Sequence, residues 1–406
     1  MTSPSLEEIY QQFKEEMKGA DGKDGIDGTN GIDGKDGING RDGIDGKDGA
    51  PGGGTVDAVA LFGAIGLIPF DLKFGTFANL ANWMDDFGPT AKRDEVKFST
   101  KDYNWDTQLP MQSGHSLVAR FGPSREFGTG PVFKLAGNLP SFFKWVQNDP
   151  AFYPNSGAPR DISLQGMQFN SGGSQSVFPV YDISKYDGSK ALWCMQLRDC
   201  GFIGARLFVG WADNLHVTGF FHVQGITDTW LDAGGSECSI DGSGISLMDS
   251  SNSTWMNAGK PFLTTRFDMF TLSNIMISAR EKSYHVQIAG GGNQRFIAVY
   301  FDAPGGAYTK LPQIKVVDGK TASFTACSFH NGSDSFSLES GSAKVTVNDC
   351  IFNDNKGVLA KCGPNFNGVL EWSDSNTYSG TQQKIIQVAR LSQVDCKDEE
   401  VQIQVV

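Results

Sequence analysis

The chain has 406 residues, enough for roughly two or three domains, and its aromatic fraction of 11%, with 29 phenylalanines, can form a substantial core. The net charge of −12 argues against nucleic acid as a main partner, because phosphate binding needs a basic surface. The seven cysteines include no CxxC pair, and their odd number argues against a disulfide framework and a zinc site; we therefore expect no metal, no cofactor and reduced thiols, which suit a reducing cytoplasm.

Residues 1–18 are predicted to form a short helix used for trimerisation or attachment. The apolar residues of this segment follow the spacing of a coiled-coil stripe, at Leu6, Tyr10, Phe13 and Met17. A helix this short is unstable alone, so its role depends on the tract that follows. The N-terminus also lacks the basic start and the apolar run of a secretory signal.

Glycine occupies every third position from Gly19 to Gly52 without a miss. Only glycine fits the crowded axis of three wound polyproline-II chains, so this register predicts a collagen-like triple-helical stalk over 19–54. A calcium-binding glycine repeat would have a nonapeptide period, and a flexible linker needs no register. The glycines assigned to trimerisation are Gly22, Gly25, Gly28, Gly31, Gly34, Gly37, Gly40, Gly43, Gly46 and Gly49.

Residues 55–100 show no clear periodicity and contain the apolar run AVALFGAIGLIPF (58–70). We interpret this part as an apolar neck, buried where three chains pack below the stalk. A membrane-active segment is the alternative, although the run is too short to span a bilayer.

Residues 101–380 consist of short β-type strings separated by Gly, Asn, Asp and Ser. Three of them resemble one another: DCGF (199–202), ACSF (326–329) and DCIF (349–352). Repeats of roughly 20–30 residues, each with one similar strand, predict a parallel β-helix. Strand spacing alone leaves an antiparallel sandwich or jelly roll open. In this interpretation four phenylalanines point inward in stacked positions, namely Phe202, Phe221, Phe329 and Phe352.

Residues 381–406 differ from these repeats, but two alternating strings, IIQV (385–388) and VQIQVV (401–406), predict strands. Because a solenoid must protect its ends, we expect this segment to form C-terminal cap strands or a strand shared between subunits.

The order of these parts resembles the tail fibres and tailspikes of tailed bacteriophages. The string LPMQSGHSLVARFGPSREFGTGPVFKLAG (109–137) is similar to the opening strands of phage proteins of the pectin-lyase-like superfamily, and DCGFIG (199–204) and GGSECSIDGSGISLMDSSN (234–252) resemble its rungs. More narrowly, these strings resemble minor tail proteins of phages of actinobacteria. The resemblance implies an all-β, right-handed parallel β-helix in three copies that contacts the host surface.

Many tailspikes of this fold cleave polysaccharide, and hydrolysis needs two carboxylates across the scissile bond. Acidic and aromatic residues are richest in 211–255, where Asp232, Asp241 and Glu237 are the catalytic candidates and Trp211, Trp230 and Trp255 are the carbohydrate-binding candidates. Asp232 and Asp241 are expected on neighbouring rungs. Turn geometry also explains such acids, and core packing also explains the tryptophans.

Lyase chemistry would favour a basic or phenolic side chain, and His216 and His222 are candidates for that base. Each histidine lies in an apolar strand string, where a core histidine with satisfied hydrogen bonds is the commoner explanation. The sequence therefore favours a non-enzymatic protein and leaves a polysaccharide hydrolase or lyase open.

Three functions remain: a structural tail fibre or minor tail protein, a tailspike glycan depolymerase, and a bacterial collagen-like surface adhesin. The first implies a homotrimer in the virion tail, assembled in the host cytoplasm. Its expected partners are other phage tail proteins, bound through the N-terminal region, and host cell-surface glycan.

Overall fold

The computed structural model describes eleven segments of the chain: 67–86, 95–111, 116–119, 131–145, 162–172, 175–181, 191–219, 222–250, 259–279, 284–303 and 311–406. The chain divides into two units, Met1–Leu61 and Phe62–Val406, and all described residues belong to the second. The predicted N-terminal helix and collagen-like stalk, with their trimerisation residues, lie outside the described residues.

Two α-helices, one 3-10 helix (Leu391–Gln393) and thirty strands make up the described secondary structure. The α-helices are α1 (Phe70–Lys73) and α2 (Phe77–Asp86). The strands are β1 (Leu67–Pro69), β2 (Glu95–Lys97), β3 (Tyr103–Trp105), β4 (Leu109–Pro110), β5 (Ser116–Val118), β6 (Val132–Leu135), β7 (Phe143–Lys144), β8 (Ser163–Gln165), β9 (Gln168–Asn170), β10 (Leu192–Arg198), β11 (Gly201–Ile203), β12 (Phe208–Gly219), β13 (His222–Gln224), β14 (Leu231–Ser250), β15 (Pro261–Ala279), β16 (Tyr284–Ala289), β17 (Asn293–Ile297), β18 (Tyr300–Asp302), β19 (Ile314–Asp318), β20 (Thr321–Thr325), β21 (Ser328–His330), β22 (Phe336–Gly341), β23 (Lys344–Asn348), β24 (Ile351–Asn353), β25 (Ala360–Phe366), β26 (Val369–Trp372), β27 (Thr377–Ser379), β28 (Ile385–Val388), β29 (Val394–Cys396) and β30 (Gln402–Val405).

The strands form three faces of a solenoid, and every pairing recorded between described strands is parallel. Face 1 contains the start of β12, β14 and β15, followed by β16, β19, β22, β25, β28 and β30. Face 2 runs from β1 through β10 to β17, β20, β23, β26 and β29. Face 3 contains β9, β11, β13, β18, β21, β24 and β27. This pattern confirms the predicted parallel β-helix, because a sandwich or jelly roll would pair its strands antiparallel.

Alternation along each strand places apolar side chains inside the solenoid. In β23, Val345 and Val347 are buried whereas Lys344 is exposed. The same alternation in β28 buries Ile386 and Val388. Parallel stacking of such strands brings like positions of successive rungs into register, so the core is a set of side-chain rows.

The self-similar strings form a recurring corner between face 2 and face 3. Asp349 adopts a left-handed conformation with φ of 53°, and this conformation turns the chain after β23. The next residue, Cys350, is buried, and its thiol donates to the carbonyl oxygen of Phe324 at 3.5 Å. Asp199 with Cys200 and Ala326 with Cys327 repeat this arrangement. Each of the three strings therefore contains the turn between two strands and the start of the second strand.

The phenylalanine that follows each of these turns points into the core, as predicted. Phe202, Phe329 and Phe352 are fully buried, and the Phe329 and Phe352 rings stack with centroids 5.0 Å apart. Phe202 pairs in register with Val223 on the next rung. Val223 thus occupies the place that the sequence assigned to Phe221, so the predicted repeat register was wrong there by two residues; Phe221 itself lies outside the described residues.

The predicted boundary between an apolar neck and the body at residue 100 was wrong for the part of the neck that is described. Strand β1 pairs with β2, and β2 pairs with β5, so the ladder of face 2 already begins at residue 67. Helix α2 covers this end of the core with Phe77, Leu80, Ala81 and Met84. These residues have the i, i+3, i+4, i+7 spacing of an amphipathic helix, which the sequence interpretation overlooked.

The C-terminal segment forms the two predicted strands, β28 and β30, but it does not depart from the solenoid. Strand β28 pairs with β25, β29 pairs with β26, and β30 pairs with β28. The alternating apolar residues continue the inward rows, so residues 381–406 extend the ladder instead of forming a separate cap.

No helix in the described part of the chain is long and apolar enough to cross a membrane.

Candidate functional site

The corner between face 1 and face 2 is rich in glycine, and its geometry requires it. Gly235 has φ of +146°, and a Cβ atom there would lie 1.7 Å from the carbonyl oxygen of Ala212 on the preceding rung. Gly291, with φ of +86°, would meet the carbonyl oxygen of Phe267 at 2.0 Å in the same way. The backbone of the preceding rung therefore excludes side chains at these positions. Gly234, next to Gly235, also carries no side chain, and we call this bare part of the corner the floor.

A tryptophan and an arginine stand on either side of this floor. Trp211, Gly234 and Arg266 are in-register partners on three successive rungs of face 1. Since rungs lie about 4.8 Å apart, the two flanking backbones are separated by about 10 Å. A Cβ atom on Gly234 would lie 3.0 Å from Cβ of Arg266, so the absence of a side chain at 234 gives the arginine its room.

Two ion pairs provide the charge of this region. The guanidinium of Arg266 pairs with the carboxylate of Asp232, and both side chains are 28% exposed. Farther along face 1, the Lys315 ammonium lies 2.9 Å from the Glu339 carboxylate. Asp232 and Lys315 belong to one outward row that also contains Gln287, because Asp232 pairs with Thr264, Thr264 with Gln287, and Gln287 with Lys315.

A tyrosine lies between the two ion pairs. The Tyr284 hydroxyl donates to Oε1 of Gln287 at 2.6 Å, and the Lys315 ammonium lies 5.8 Å from the centre of the tyrosine ring. Burial, followed by the negative charges of Glu339 and Asp232, raises the pKa of the Tyr284 hydroxyl. The phenol therefore remains protonated near neutral pH and acts as a hydrogen-bond donor.

We call this region the slot. It comprises Trp211, Asp232, Gly234, Arg266, Tyr284, Gln287, Lys315 and Glu339. Tyr284 is buried, so the half-buried Trp211 is the aromatic side chain of the slot that a ligand can reach. An aromatic face beside paired donors and acceptors is suited to sugar rings, which are apolar on one face and carry hydroxyls at the edge. Each carboxylate of the slot already holds a cation, which is not the environment of a general acid. The arrangement favours binding over hydrolysis.

The structure separates the two acids that the sequence placed on neighbouring rungs. Asp232 and Asp241 lie on one strand, β14, and they belong to different faces. Asp241 lies on face 2, where its carboxylate accepts hydrogen bonds from Ser273 Oγ at 3.1 Å and Asn274 Nδ2 at 2.8 Å. The expected neighbouring placement was therefore wrong: β14 is long enough to continue around the glycine corner, so the acids lie on one strand with eight residues between them.

Glu237 shares face 2 with Asp241, four residues earlier on the same strand. Four residues of extended chain span about 13 Å. That separation exceeds the roughly 5–9.5 Å between the carboxyl groups of glycosidases. Asp241 therefore does not form a closely spaced carboxylate pair with Glu237.

The three predicted tryptophans have different outcomes. Trp230 is fully buried, with its ring 5.4 Å from that of Phe202, so it has no exposed face for a sugar, and its assignment to carbohydrate binding was wrong. It lies at the corner just before β14, and its backbone is hydrogen-bonded to those of Leu207 and Phe262, which are also fully buried. Trp211 is half-buried and borders the slot, and Trp255 lies outside the described residues.

The two candidate histidine bases lie away from the slot. His222 is buried on face 3, and burial lowers its pKa to about 4. His216 lies on face 2, where Nδ1 is 2.6 Å from the Ser239 hydroxyl of the next rung. No group of three or more His, Cys, Asp or Glu side chains within the described segments is placed to hold a metal ion.

Sequence reasoning missed Arg266, Tyr284, Lys315 and Glu339. These residues are far apart in the sequence and come together only when the rungs are in register. The available signal was the glycine pairs at 234–235 and 290–291, which mark one corner on different rungs.

Comparisons with known proteins support the fold. A family model described as a right-handed beta helix region matches residues 223–382, so with the parallel pairing the body is a right-handed parallel β-helix. No curated protein sequence matches the chain significantly.

Two solved structures show a distant likeness. The mannuronan C-5 epimerase AlgE6 A-module from Azotobacter vinelandii is 13% identical over 83% of this chain and 91% of its own, with a TM-score of 0.38. The catalytic unit of the thermostable GH87 α-1,3-glucanase from Streptomyces thermodiastaticus strain HF3-3 is 12% identical over 79% of this chain and 67% of its own, with a TM-score of 0.23.

Proposed function

We propose that this protein is a structural tail protein of a tailed bacteriophage, a tail fibre or minor tail protein, that forms a homotrimer and binds host cell-surface glycan. The observation that carries the proposal is the unbroken glycine register of 19–52 ahead of a right-handed parallel β-helix. A triple helix requires three chains, and phage tail fibres and tailspikes combine such a stalk with this type of body.

The slot supplies the proposed binding surface. Trp211 gives an aromatic face, and Arg266 and Lys315 give donors beside the acceptors of Asp232 and Glu339. In a trimer the slot is present three times on one particle. Three weak sites on a common support gain avidity without any new contact, which suits attachment to a repetitive polymer.

The N-terminal region is the proposed attachment point to other tail proteins, and the virion tail is the proposed location of the protein. Glycan cleavage by a tailspike depolymerase is the competing activity. The separation of Asp232 from Asp241 and the ion-paired carboxylates of the slot favour binding without cleavage.

The test is to incubate the purified full chain with cell-wall polysaccharides from a panel of bacteria. We expect retention on at least one polysaccharide, with no release of reducing ends or unsaturated sugars. Lys315→Gln is expected to weaken retention, whereas Lys344→Gln, which breaks a similar ion pair with Glu371 on face 2, is not.

Two results would count against the proposal. Steady release of reducing ends or unsaturated sugars, lost in Asp232→Asn or Asp241→Asn, would establish a depolymerase. Failure of the folded protein to bind any bacterial polysaccharide would remove host attachment as its role.

A further inference from the structure

The charges of the slot are balanced within the slot. Arg266 faces Asp232, and Lys315 faces Glu339 at 2.9 Å. Tyr284, between the pairs, is protonated because burial and both carboxylates raise its pKa. An anionic ligand would have to compete with two carboxylates already in place, and the whole chain adds a net charge of −12. An uncharged ligand is not repelled by the net negative charge and does not have to displace the two carboxylates.

Each ion pair presents a donor next to an acceptor. Adjacent hydroxyl groups of a sugar match this arrangement, since one hydroxyl donates to the carboxylate while its neighbour accepts from the cation. Both pairs keep part of their surface exposed: Lys315 is 26% and Glu339 is 46% accessible. Hydrogen bonds to charged groups are stronger than those between neutral groups, so each pair can hold one sugar unit.

The two pairs are aligned with the axis of the β-helix. Asp232, Thr264, Gln287 and Lys315 are in-register partners on four successive rungs; Thr264 is buried, and the other three are partly exposed. Three rung spacings separate Asp232 from Lys315, which is about 14 Å. The rung spacing is close to the length of one pyranose unit, so a glycan chain along the axis would place successive sugars over successive rungs.

We infer that the slot binds an uncharged polysaccharide chain lying along the β-helix axis, with two sugar units held at adjacent hydroxyls by Asp232–Arg266 and Glu339–Lys315. This inference rests on the proposed glycan-binding function and specifies the ligand of that site. The segment bound is long enough to reach both pairs, about three or four sugars at one unit per rung. Trp211, which is half-buried, provides the apolar surface beside the chain. Tyr284 is buried and acts only through its hydrogen bond to Gln287.

The experiment is calorimetric titration of the full chain with oligosaccharides of increasing length from neutral glucan, mannan and galactan, and from polygalacturonate. For at least one neutral series, we expect affinity to rise until the oligosaccharide spans both pairs and then to level off. The affinity should change little between low and high salt, because no net charge is neutralised on binding.

Variants on the two ion pairs test the site itself. Arg266→Gln and Lys315→Gln should each weaken binding about tenfold or more, as expected for loss of a charged hydrogen bond. Lys344→Gln, in the matched pair on face 2, should leave affinity unchanged. Lys315 lies in a partly exposed pair, so its variant should fold normally even if Arg266→Gln does not.

A change in the floor gives an independent readout. Gly234→Ala would place a methyl group 3.0 Å from Cβ of Arg266 and should weaken neutral-glycan binding by displacing the arginine. The control is Gly201→Ala on face 3, where the methyl group would lie 3.1 Å from Cγ of Gln168. This control should not affect binding.

Three outcomes would overturn the inference and leave the proposed function in place. One is binding of polygalacturonate that depends on Arg266 or Lys315 and weakens steeply with salt. The other is binding of neutral glycan that none of the slot variants changes. The third is that the protein binds none of the titrated oligosaccharides but is retained on a bacterial wall polysaccharide. If it neither binds an oligosaccharide nor is retained on a wall polysaccharide, the proposed function itself is contradicted.

Discussion

Stacked aromatic side chains are the clearest contribution of single residues to this fold. The Phe329 ring lies between Phe301, with centroids 4.9 Å apart, and Phe352, with centroids 5.0 Å apart. All three are fully buried on successive rungs of face 3. The Phe329 ring thus has aromatic contacts on both of its faces and is removed from water.

Phe329→Ala should lower the free energy of unfolding by about 3–5 kcal/mol, because it leaves a cavity between two rungs. Ile351→Ala on the same face is the control: Ile351 is 44% exposed, and its truncation should cost far less. Urea unfolding of the two variants measures this difference, and equal losses would show that the aromatic row is not a main source of stability.

A buried histidine makes the stability of the body depend on pH. His285 is fully buried, and Nε2 donates to the carbonyl oxygen of Asp302 at 2.8 Å. Burial lowers the pKa of His285 to about 4, below its ordinary value of 6.5. The unfolded chain therefore takes up this proton more readily than the folded chain as the solution is acidified.

This contribution to stability is complete above pH 6.5 and is lost as the pH falls towards 4. The loss amounts to about 3 kcal/mol for one histidine with this shift. Urea unfolding between pH 7 and pH 4 should show a smaller loss in His285→Gln than in the unaltered chain. The same pH dependence in both proteins would exclude His285 as the source.

Residue patterns predicted the core better than the site. Phe202, Phe329 and Phe352 were identifiable because each follows a turn with a recognisable local sequence. Trp230 was misassigned because an inward and an outward tryptophan look alike until the register of the strand is known. Arg266 and Lys315 were missed for the same reason, because their proximity to Asp232 and Glu339 depends on the register of strands that are distant in the sequence.

The glycine corner between face 1 and face 2 allows long strands such as β14 to turn without a break. Gly235 is its most constrained position, because a side chain there would occupy the same space as the Ala212 carbonyl oxygen. Its φ of +146° is also disfavoured for any other residue. The corner thus combines close approach of two rungs with a backbone conformation that suits glycine.

Gly235→Ala should destabilise the body by about 3 kcal/mol or more, because both the clash and the strained backbone must be accommodated. Gly137→Ala is the control, since a Cβ atom at Gly137 would meet no heavy atom within 4 Å. Thermal unfolding followed by circular dichroism gives the melting temperatures of the two variants. Similar melting temperatures for the two variants would contradict the role assigned to the corner.

Elements of the solenoid were predictable where a strand ended in a distinctive turn, as in DCIF (349–352). The start of the solenoid was not predicted, because α2 separates β1 from β2 and interrupts the strand pattern that the sequence makes visible. Helix α2 itself could have been predicted from the spacing of its apolar residues, Phe77, Leu80, Ala81 and Met84. Pairing of β1 with β2 is a tertiary contact that no local pattern encodes.

The thermal stability of the stalk predicted at 19–54 can be measured separately from that of the body. Gly37 lies in the middle of the glycine register, where a bulkier side chain cannot fit the axis of a triple helix. Gly37→Val should lower the melting temperature of the triple-helical signal in circular dichroism. The β-type signal of the body should be unchanged; loss of both signals together would contradict independent folding of the two parts.

At the scale of the whole molecule, function depends on the number of chains. One slot with two partly exposed ion pairs offers modest affinity, because hydrogen bonds to a sugar replace hydrogen bonds to water. Three slots carried by one trimer would bind a repetitive surface polymer far more strongly than one. A trimer is therefore the assembly that the glycine register predicts, and it would favour the proposed attachment to the host.

The mass of the full chain in solution, measured by multi-angle light scattering under native conditions, tests this account most directly. It should equal three chain masses over a wide range of protein concentration, because the triple helix can form only from three chains. A monomer or a dimer at every concentration would contradict the collagen-like stalk and, with it, the trimeric tail protein proposed for this chain.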